Sequence, residues 1–274
     1  MKTIIFILFS LLSISAFSQS TLTSNYLYSL RLLNNNESDQ IIMGDISLLN
    51  DEEPLKIMSI AKLTKSELRL LRNAIYAKYG YIFNSKDLSN YFKQFTWYKP
   101  TSTEIDNNMS KVDKLNIESI KEFEKMNKTT NNIKWDIRKV GVWQDSHLIA
   151  SGWSDRFVIS EDNKLEFLYS QMGELQQVNG LIGTYTIKGN VLEFEINKIS
   201  FVQHNLEVSY SGAFGFEWNE SSTNSLTFDK PIVLDFPVSE IETSKNSENE
   251  SQVLTIKIGG KDFYLMATDT NKKY

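Results

Sequence analysis

The chain contains no cysteine. That removes disulfides, thiol catalysis and Cys-based zinc sites, and with them the N-terminal cysteine tether of bacterial lipoproteins. Histidine is nearly as scarce, His147 and His204 being the two in 274 residues. Signature motifs are missing too: Gly-x-Ser-x-Gly, His-Glu-x-x-His, Walker A, Gly-x-Gly-x-x-Gly and the calcium loop of an EF-hand. The sequence therefore names no catalytic residue, no metal ligand and no cofactor. Long apolar runs are limited to residues 4–14, and the chain turns polar at Ser18-Gln19-Ser20. A membrane-crossing helix needs ~20 apolar residues, so this run is too short to span.

What stands at the N-terminus has the form of a signal peptide. Lys2 supplies the positive charge, residues 4–14 the apolar stretch, and Ala16-Phe17-Ser18 the small residues that a signal peptidase reads. Cleavage is expected before Gln19. The mature chain is then exported to the periplasm or the extracellular space, soluble, without a transmembrane segment and not a lipoprotein. It keeps about 256 residues, enough for one or two domains that bury a core without disulfides.

The net charge of −5 hides an asymmetry. Between residues 62 and 99, Lys62, Lys65, Arg69, Arg72, Lys78, Lys86, Lys93 and Lys99 face only Glu67 and Asp87, whereas from Asn131 onward acids outnumber bases. A basic module followed by an acidic one gives the expected division: signal peptide 1–18, an N-terminal segment 19–62, a helical module 63–126, a linker 127–132 and a β domain 133–274. The linker is the polar run Asn127-Lys128-Thr129-Thr130-Asn131-Asn132.

The first module has helical periodicity. Thr64-Lys65-Ser66-Glu67 forms a capping box, and Leu68, Leu71, Ile75 and Tyr79 follow as one stripe. Gly80 stands where a left-handed C′ residue ends a helix. Ser85 caps a second helix carrying Leu88, Tyr91, Phe92 and Phe95. A third, near 110–126, aligns Val112, Leu115, Ser119, Phe123 and Met126, with Ile120 beside them. Trp97 is expected to be buried as the hub of this module. The segment ahead of residue 63 is expected to add two short strands or helices that pack on it.

Past the linker the period changes to two. Short runs rich in β-branched and aromatic residues alternate with turn signals, among them Glu161-Asp162-Asn163, Gly189-Asn190 and Gly259-Gly260. Glu193, Glu195 and Asn197 alternate with Leu192, Phe194 and Ile196, which makes one face of that strand solvated. Residues 240–252 are expected to form a surface loop. The fold class is thus α+β: a small helical module followed by an antiparallel β-barrel-like or sandwich domain.

The order and spacing of Leu71-Arg72-Asn73, Ile75-Tyr76-Ala77, Gly80-Tyr81, Phe83, Leu88, Tyr91-Phe92, Trp97-Tyr98, Pro100 and Asn116-Ile117 resemble the YARHG domain over residues 63–123. That family is bacterial and extracytoplasmic, and the resemblance implies no catalytic activity. The eponymous run here reads Tyr76-Ala77-Lys78-Tyr79-Gly80, with Lys78 in place of the family's Arg, Tyr79 in place of its His, and Ala74 where an acid is usual. More weakly, Gly141-Val142-Trp143 ahead of a run of antiparallel strands looks like the Gly-x-Trp signature of lipocalins. Trp143 and Trp153 are otherwise expected to plug the base of a barrel or sandwich.

These readings point to an exported, non-enzymatic binding or interaction protein. Its helical module contacts an anionic envelope polymer or an envelope protein through Arg72, Lys78, Tyr79, Lys86 and Lys93. Export argues against nucleic acid as the partner of this basic, aromatic surface. The β domain holds a small apolar ligand or serves as a scaffold. Two alternatives stay open: a hydrolase with its site near His147 or His204, and a purely structural interaction protein.

Overall fold

Two helix starts in the first module, after Thr64 and after Ser110, lie where a side chain satisfies a free backbone amide. A computed structural model of the chain describes residues 37–126, 139–148, 153–170, 178–204, 208–211, 215–218, 221–245 and 252–268; of residues 201–224, 244, 245 and 252 it describes the backbone alone. The expected signal peptide and the linker at 127–132 lie outside these residues. The segment before residue 63 is helical where described: α1 (Glu37–Ile42), a 3₁₀ turn (Ile46–Leu48) and α2 (Ile57–Ala61). In α3 (Lys65–Lys78) the capping box forms, with Thr64 accepting from the Glu67 amide and Glu67 from the Thr64 amide. Helix α4 (Lys86–Lys93) starts after Ser85, but the expected cap does not form, the Ser85 hydroxyl donating to the Asp87 carboxylate instead; α5 (Lys111–Lys125) is capped by Ser110, which accepts from the Asp113 amide at 3.0 Å.

Two expectations about this module need correction. The stripe drawn along α5 holds at Ser119, Ile120 and Phe123, all buried, and fails at Leu115. Leu115 is 54% exposed, whereas Asp113 and Asn116 are buried. Polar side chains face inward here because each has a partner, Asn116 Oδ1 accepting from the Leu55 amide at 2.9 Å. The aromatic hub is Phe92, not Trp97. Phe92 is 1% exposed, with ring centroids of Phe83, Tyr91, Tyr98 and Trp97 at 5.0, 5.2, 5.9 and 6.3 Å. Trp97 is half-buried, stacked on Phe95 at 5.4 Å, and its Nε1 donates to the Gly44 carbonyl at 2.8 Å. An indole with one end apolar and the other tied to backbone sits naturally at such a rim.

The second module contributes β1 (Gly141–Gln144), β2 (Arg156–Ile159), β3 (Lys164–Leu168), β4 (Val178–Lys188), β5 (Val191–His204), β6 (Val208–Ser211), β7 (Gly215–Trp218), β8 (Ser221–Pro237), β9 (Glu242–Lys245), β10 (Gln252–Ile258) and β11 (Lys261–Ala267). Nine form one antiparallel sheet in the order β8-β5-β4-β3-β2-β1-β11-β10-β9, and β6 pairs with β7 apart from it. Gly189-Asn190 and Gly259-Gly260 are hairpin turns as expected, and Asn163 takes a left-handed φ of 60° in the β2–β3 turn. Gly141-Val142-Trp143 forms the first strand itself rather than preceding it. Strand β9 lies in the stretch expected to be a loop, because Gln252 to Thr255 offer it an edge to pair with.

The sheet curls without closing. Phe157 on β2 and Phe236 on β8 lie 5.6 Å apart between ring centroids, yet four strand spacings separate β2 from β8. In a flat sheet that separation is about 19 Å. Past the end of β8, Val238 forms a single bridge to Ile258, and the Gly259 amide donates to the Pro237 carbonyl at 2.7 Å. The edge strands β8 and β9 are not paired to each other, so the architecture is barrel-like but open. Trp143, Phe157, Phe167, Phe194, Phe236 and Phe263 are wholly buried inside the curl. Phe157 touches the rings of Phe167 and Phe263 at 4.8 and 5.2 Å. Trp143 is anchored through its Nε1 to the Lys139 carbonyl at 2.7 Å, whereas Trp153 is 58% exposed and plugs nothing.

The two modules share one core. A Cβ on Gly259 would come within 2.7 Å of Ile57 and Phe123, and one on Gly260 within 2.7 Å of the Ser119 backbone. Ser119 donates its hydroxyl to the Gly259 carbonyl, and Phe123 meets Phe236 edge to face at 6.2 Å. The β10–β11 hairpin thus docks against α2 and α5.

Candidate functional site

Gly80 ends α3 with φ +75°, a conformation that penalises a Cβ. Its carbonyl then accepts from the Thr101 amide at 2.7 Å and the Ser102 amide at 3.2 Å, and the Ile82 amide donates to the Ser102 carbonyl at 2.8 Å. These bonds pin the stretch after Pro100 against the end of the motif helix. Ile105 and Met109, 4% and 7% exposed, anchor it further along. Between this stretch and α3 runs a groove of about 780 Å³, lined by Arg72, Asn73, Tyr76, Tyr81 and residues 103–108. Its volume falls within the ~300–1,000 Å³ of small-molecule sites.

The groove wall has polar groups to spare. Arg72 is held by one nitrogen, Nε donating to Glu124 Oε2 at 2.9 Å, which leaves its two terminal nitrogens unused among the described residues. Tyr76 and Tyr81 are half-buried with ring centroids 5.8 Å apart, and neither hydroxyl makes a hydrogen bond among the described residues. The side chains of Glu104, Asp106, Asn107 and Asn108 are equally uncommitted there. Asn73 differs: it is buried and donates to the Arg69 carbonyl at 2.7 Å, so it supports the wall.

Of the residues expected to bind, only Arg72 reaches this groove. Lys78 points the other way, its Nζ donating to Asp113 Oδ2 at 2.8 Å, the Leu49 carbonyl at 2.9 Å and Asp51 at 3.1 Å. Burial draws the Lys78 ammonium down, but the hydrogen bonds to Asp113 and Asp51 outweigh it and leave its pKa raised. The Tyr79 hydroxyl donates to the same Asp113 oxygen at 2.8 Å and accepts from the Ser110 amide at 3.0 Å. Lys78 and Tyr79 therefore hold the N-terminus of α5. Lys86 and Lys93 are exposed on α4 and make no hydrogen bond or ion pair among the described residues.

Among the described residues the β domain assembles no comparable constellation at His147. His147 lies against the Tyr264 ring at 4.6 Å and makes no hydrogen bond to a carboxylate among the described residues. His204 ends β5, paired with Ser221, and its side chain lies outside the description. Asp145 is taken by the Ser154 hydroxyl. Glu193, expected to be solvated, is 9% exposed, and Lys188 clasps both of its oxygens at 2.7 and 2.8 Å. Sequence reasoning missed Tyr76, Tyr81 and residues 103–108 as a site. The readable signal was a dense run of Thr, Glu, Asp and Asn directly after a module this aromatic.

Residues 43–125 match the family model of the YARHG domain. The described helices α2 to α5 and the whole groove lie within that span, so this part of the chain is similar to a YARHG domain. The matched span starts at residue 43 rather than 63, and the structure gives a reason. Ile42 accepts from the Tyr91 hydroxyl, Gly44 from Trp97, and Leu49 from Lys78, so residues 42–49 belong to the same packed unit. No curated protein and no solved structure matches the chain. Among the described residues no helix is long and apolar enough to cross a membrane.

Proposed function

We propose that this is an exported, non-enzymatic binding protein whose helical module engages cell-envelope material through the groove beside its motif helix. One observation carries the reading. The family-defining helix and the stretch after Pro100 build a pinned, half-enclosed groove whose donors and acceptors the protein itself leaves unused. Glu104, Asp106, Asn107 and Asn108 are exposed beside the half-buried Arg72, Tyr76 and Tyr81, so their polar groups are open to a ligand in a groove of small-molecule size. The electrostatic contribution to an anionic polymer falls to Lys86 and Lys93, since Lys78 is spent internally. The aromatic filling of the β domain favours a scaffold over a carrier of small apolar ligands, because the side chains already occupy the interior.

The test is cosedimentation of the mature chain with purified cell-wall and outer-membrane fractions at two ionic strengths. The parent is expected to sediment with one fraction. Asn107→Ala and Tyr76→Phe are expected to weaken that binding at both salts, and Lys86→Glu with Lys93→Glu mainly at low salt, where screening is least. Binding indifferent to all these substitutions, or none, contradicts the reading.

A further inference from the structure

We infer that the groove takes a neutral saccharide; this rests on the binding reading above and names its ligand class. One guanidinium, Arg72, faces two carboxylates, Glu104 and Asp106, so the groove itself is not basic even though the module around it is. A phosphate or carboxylate polymer would meet those two acids with like charge, and the free lysines lie on α4. An apolar ligand finds a single aliphatic side chain in the wall, Ile105. A peptide anchored by side-chain pockets is disfavoured for the same reason.

A sugar ring has what this wall lacks. It presents an apolar C–H face to an aromatic ring and a circumference of hydroxyls that both donate and accept. Tyr76 and Tyr81, tilted by 47° to each other, offer two such rings. The carboxylates of Glu104 and Asp106 accept, the unused Arg72 nitrogens donate, and the amides of Asn107 and Asn108 and the phenol hydroxyls do both. A wall that mixes donors and acceptors suits hydroxyls, which need each, better than an anion, which needs donors alone.

The experiment is isothermal titration of the mature full-length chain with chitotetraose and cellotetraose, two neutral oligosaccharides with and without acetamido groups, and with a sulfated oligosaccharide and a tetrapeptide as comparisons. Saturable binding of at least one neutral probe is expected, at about millimolar affinity or tighter. Asn107→Ala is expected to weaken it about threefold or more, and Tyr76→Phe likewise, since each removes one hydrogen bond from an unstrained position. Thermal midpoints equal to the parent's show that the variants fold. Failure of both neutral probes to bind, binding of the sulfated probe or the peptide alone, or affinities unchanged in both variants overturns the saccharide assignment. Envelope cosedimentation that still depends on Asn107 and Tyr76 would, in that case, leave the binding reading standing and reject only the ligand class.

Discussion

Lys78 Nζ lies 2.8 Å from Asp113 Oδ2, and Asp113 is wholly buried. Its second oxygen, Oδ1, is buried with no hydrogen-bond partner among the described residues. Removing one member of a buried ion pair leaves the other charge uncompensated, at a cost of about 3–5 kcal/mol. Lys78 is partly exposed and keeps Asp51 and the Leu49 carbonyl, so Asp113→Ala is expected to lower chemical-denaturation stability by less than that, about 2 kcal/mol. Lys78→Arg is expected to keep or raise stability, because a guanidinium fork can reach both carboxylate oxygens. An Asp113→Ala variant within ~1 kcal/mol of the parent would show that the pair does not hold α5 in place.

Gly80 has a conformation and a location that both exclude a side chain. At φ +75° an added Cβ would stand 2.5 Å from Thr101 Oγ1 and 2.7 Å from the Lys99 carbonyl oxygen. Gly80→Val is expected to cost at least about 2 kcal/mol, the left-handed penalty being ~1–2 and the collision adding to it. The same variant should open the groove, since Thr101 and Ser102 hang from the Gly80 carbonyl. An unchanged denaturation midpoint would refute the turn geometry.

Phe92 and Trp97 separate hub from rim. Phe92→Ala empties the centre of the ring cluster and is expected to cost ~3–5 kcal/mol. Trp97→Ala removes a half-buried ring and one hydrogen bond, so it is expected to cost less, though near-UV circular dichroism should change in both. A larger loss for Trp97 would restore the indole as the centre of the module.

Lys261 opens β11 close to the docked helices and makes no hydrogen bond or ion pair among the described residues. Burial draws its pKa down to about 8, against the attraction of Glu37, Asp155 and Asp145 and with a smaller push from Lys56. The sign follows from linkage. Between about pH 8 and 10.5 the unfolded chain binds more protons at this group than the folded one, so its contribution to stability rises with pH. Below that window the fold carries the penalty of a partly buried ammonium. Lys261→Met is expected to raise the thermal midpoint at pH 7 and to flatten this rise. A variant less stable than the parent at pH 7 would mean that the surrounding carboxylates win.

Much of this fold was legible locally. The capping box at Thr64 and Glu67, the C′ glycine at Gly80 and the hairpins at Gly189-Asn190 and Gly259-Gly260 are short-range devices, and each formed as read. What escaped depends on partners far along the chain. Asp113 and Asn116 look like solvent-facing residues until Lys78 and Leu55 are brought beside them. Lys78 looks like a free cation for the same reason. Glu193 is a short-range exception: it alternates as a wet strand residue, but Lys188, five residues back across the β4–β5 turn, folds over it. The groove was hidden because its outer wall, residues 103–108, has no hydrophobic period, and its position comes from backbone bonds to Gly80 and Ile82 rather than from a sequence pattern.

Envelope material bound in the groove of the helical module would shield the groove's backbone amides from exchange. Hydrogen–deuterium exchange of the mature chain, with and without a saturating amount of the cosedimenting envelope fraction, measures this directly. The account predicts added protection in peptides covering residues 70–82 and 101–109, with the β2–β5 strands unchanged. Protection confined to the β domain, or absent from the groove while binding persists, would contradict it.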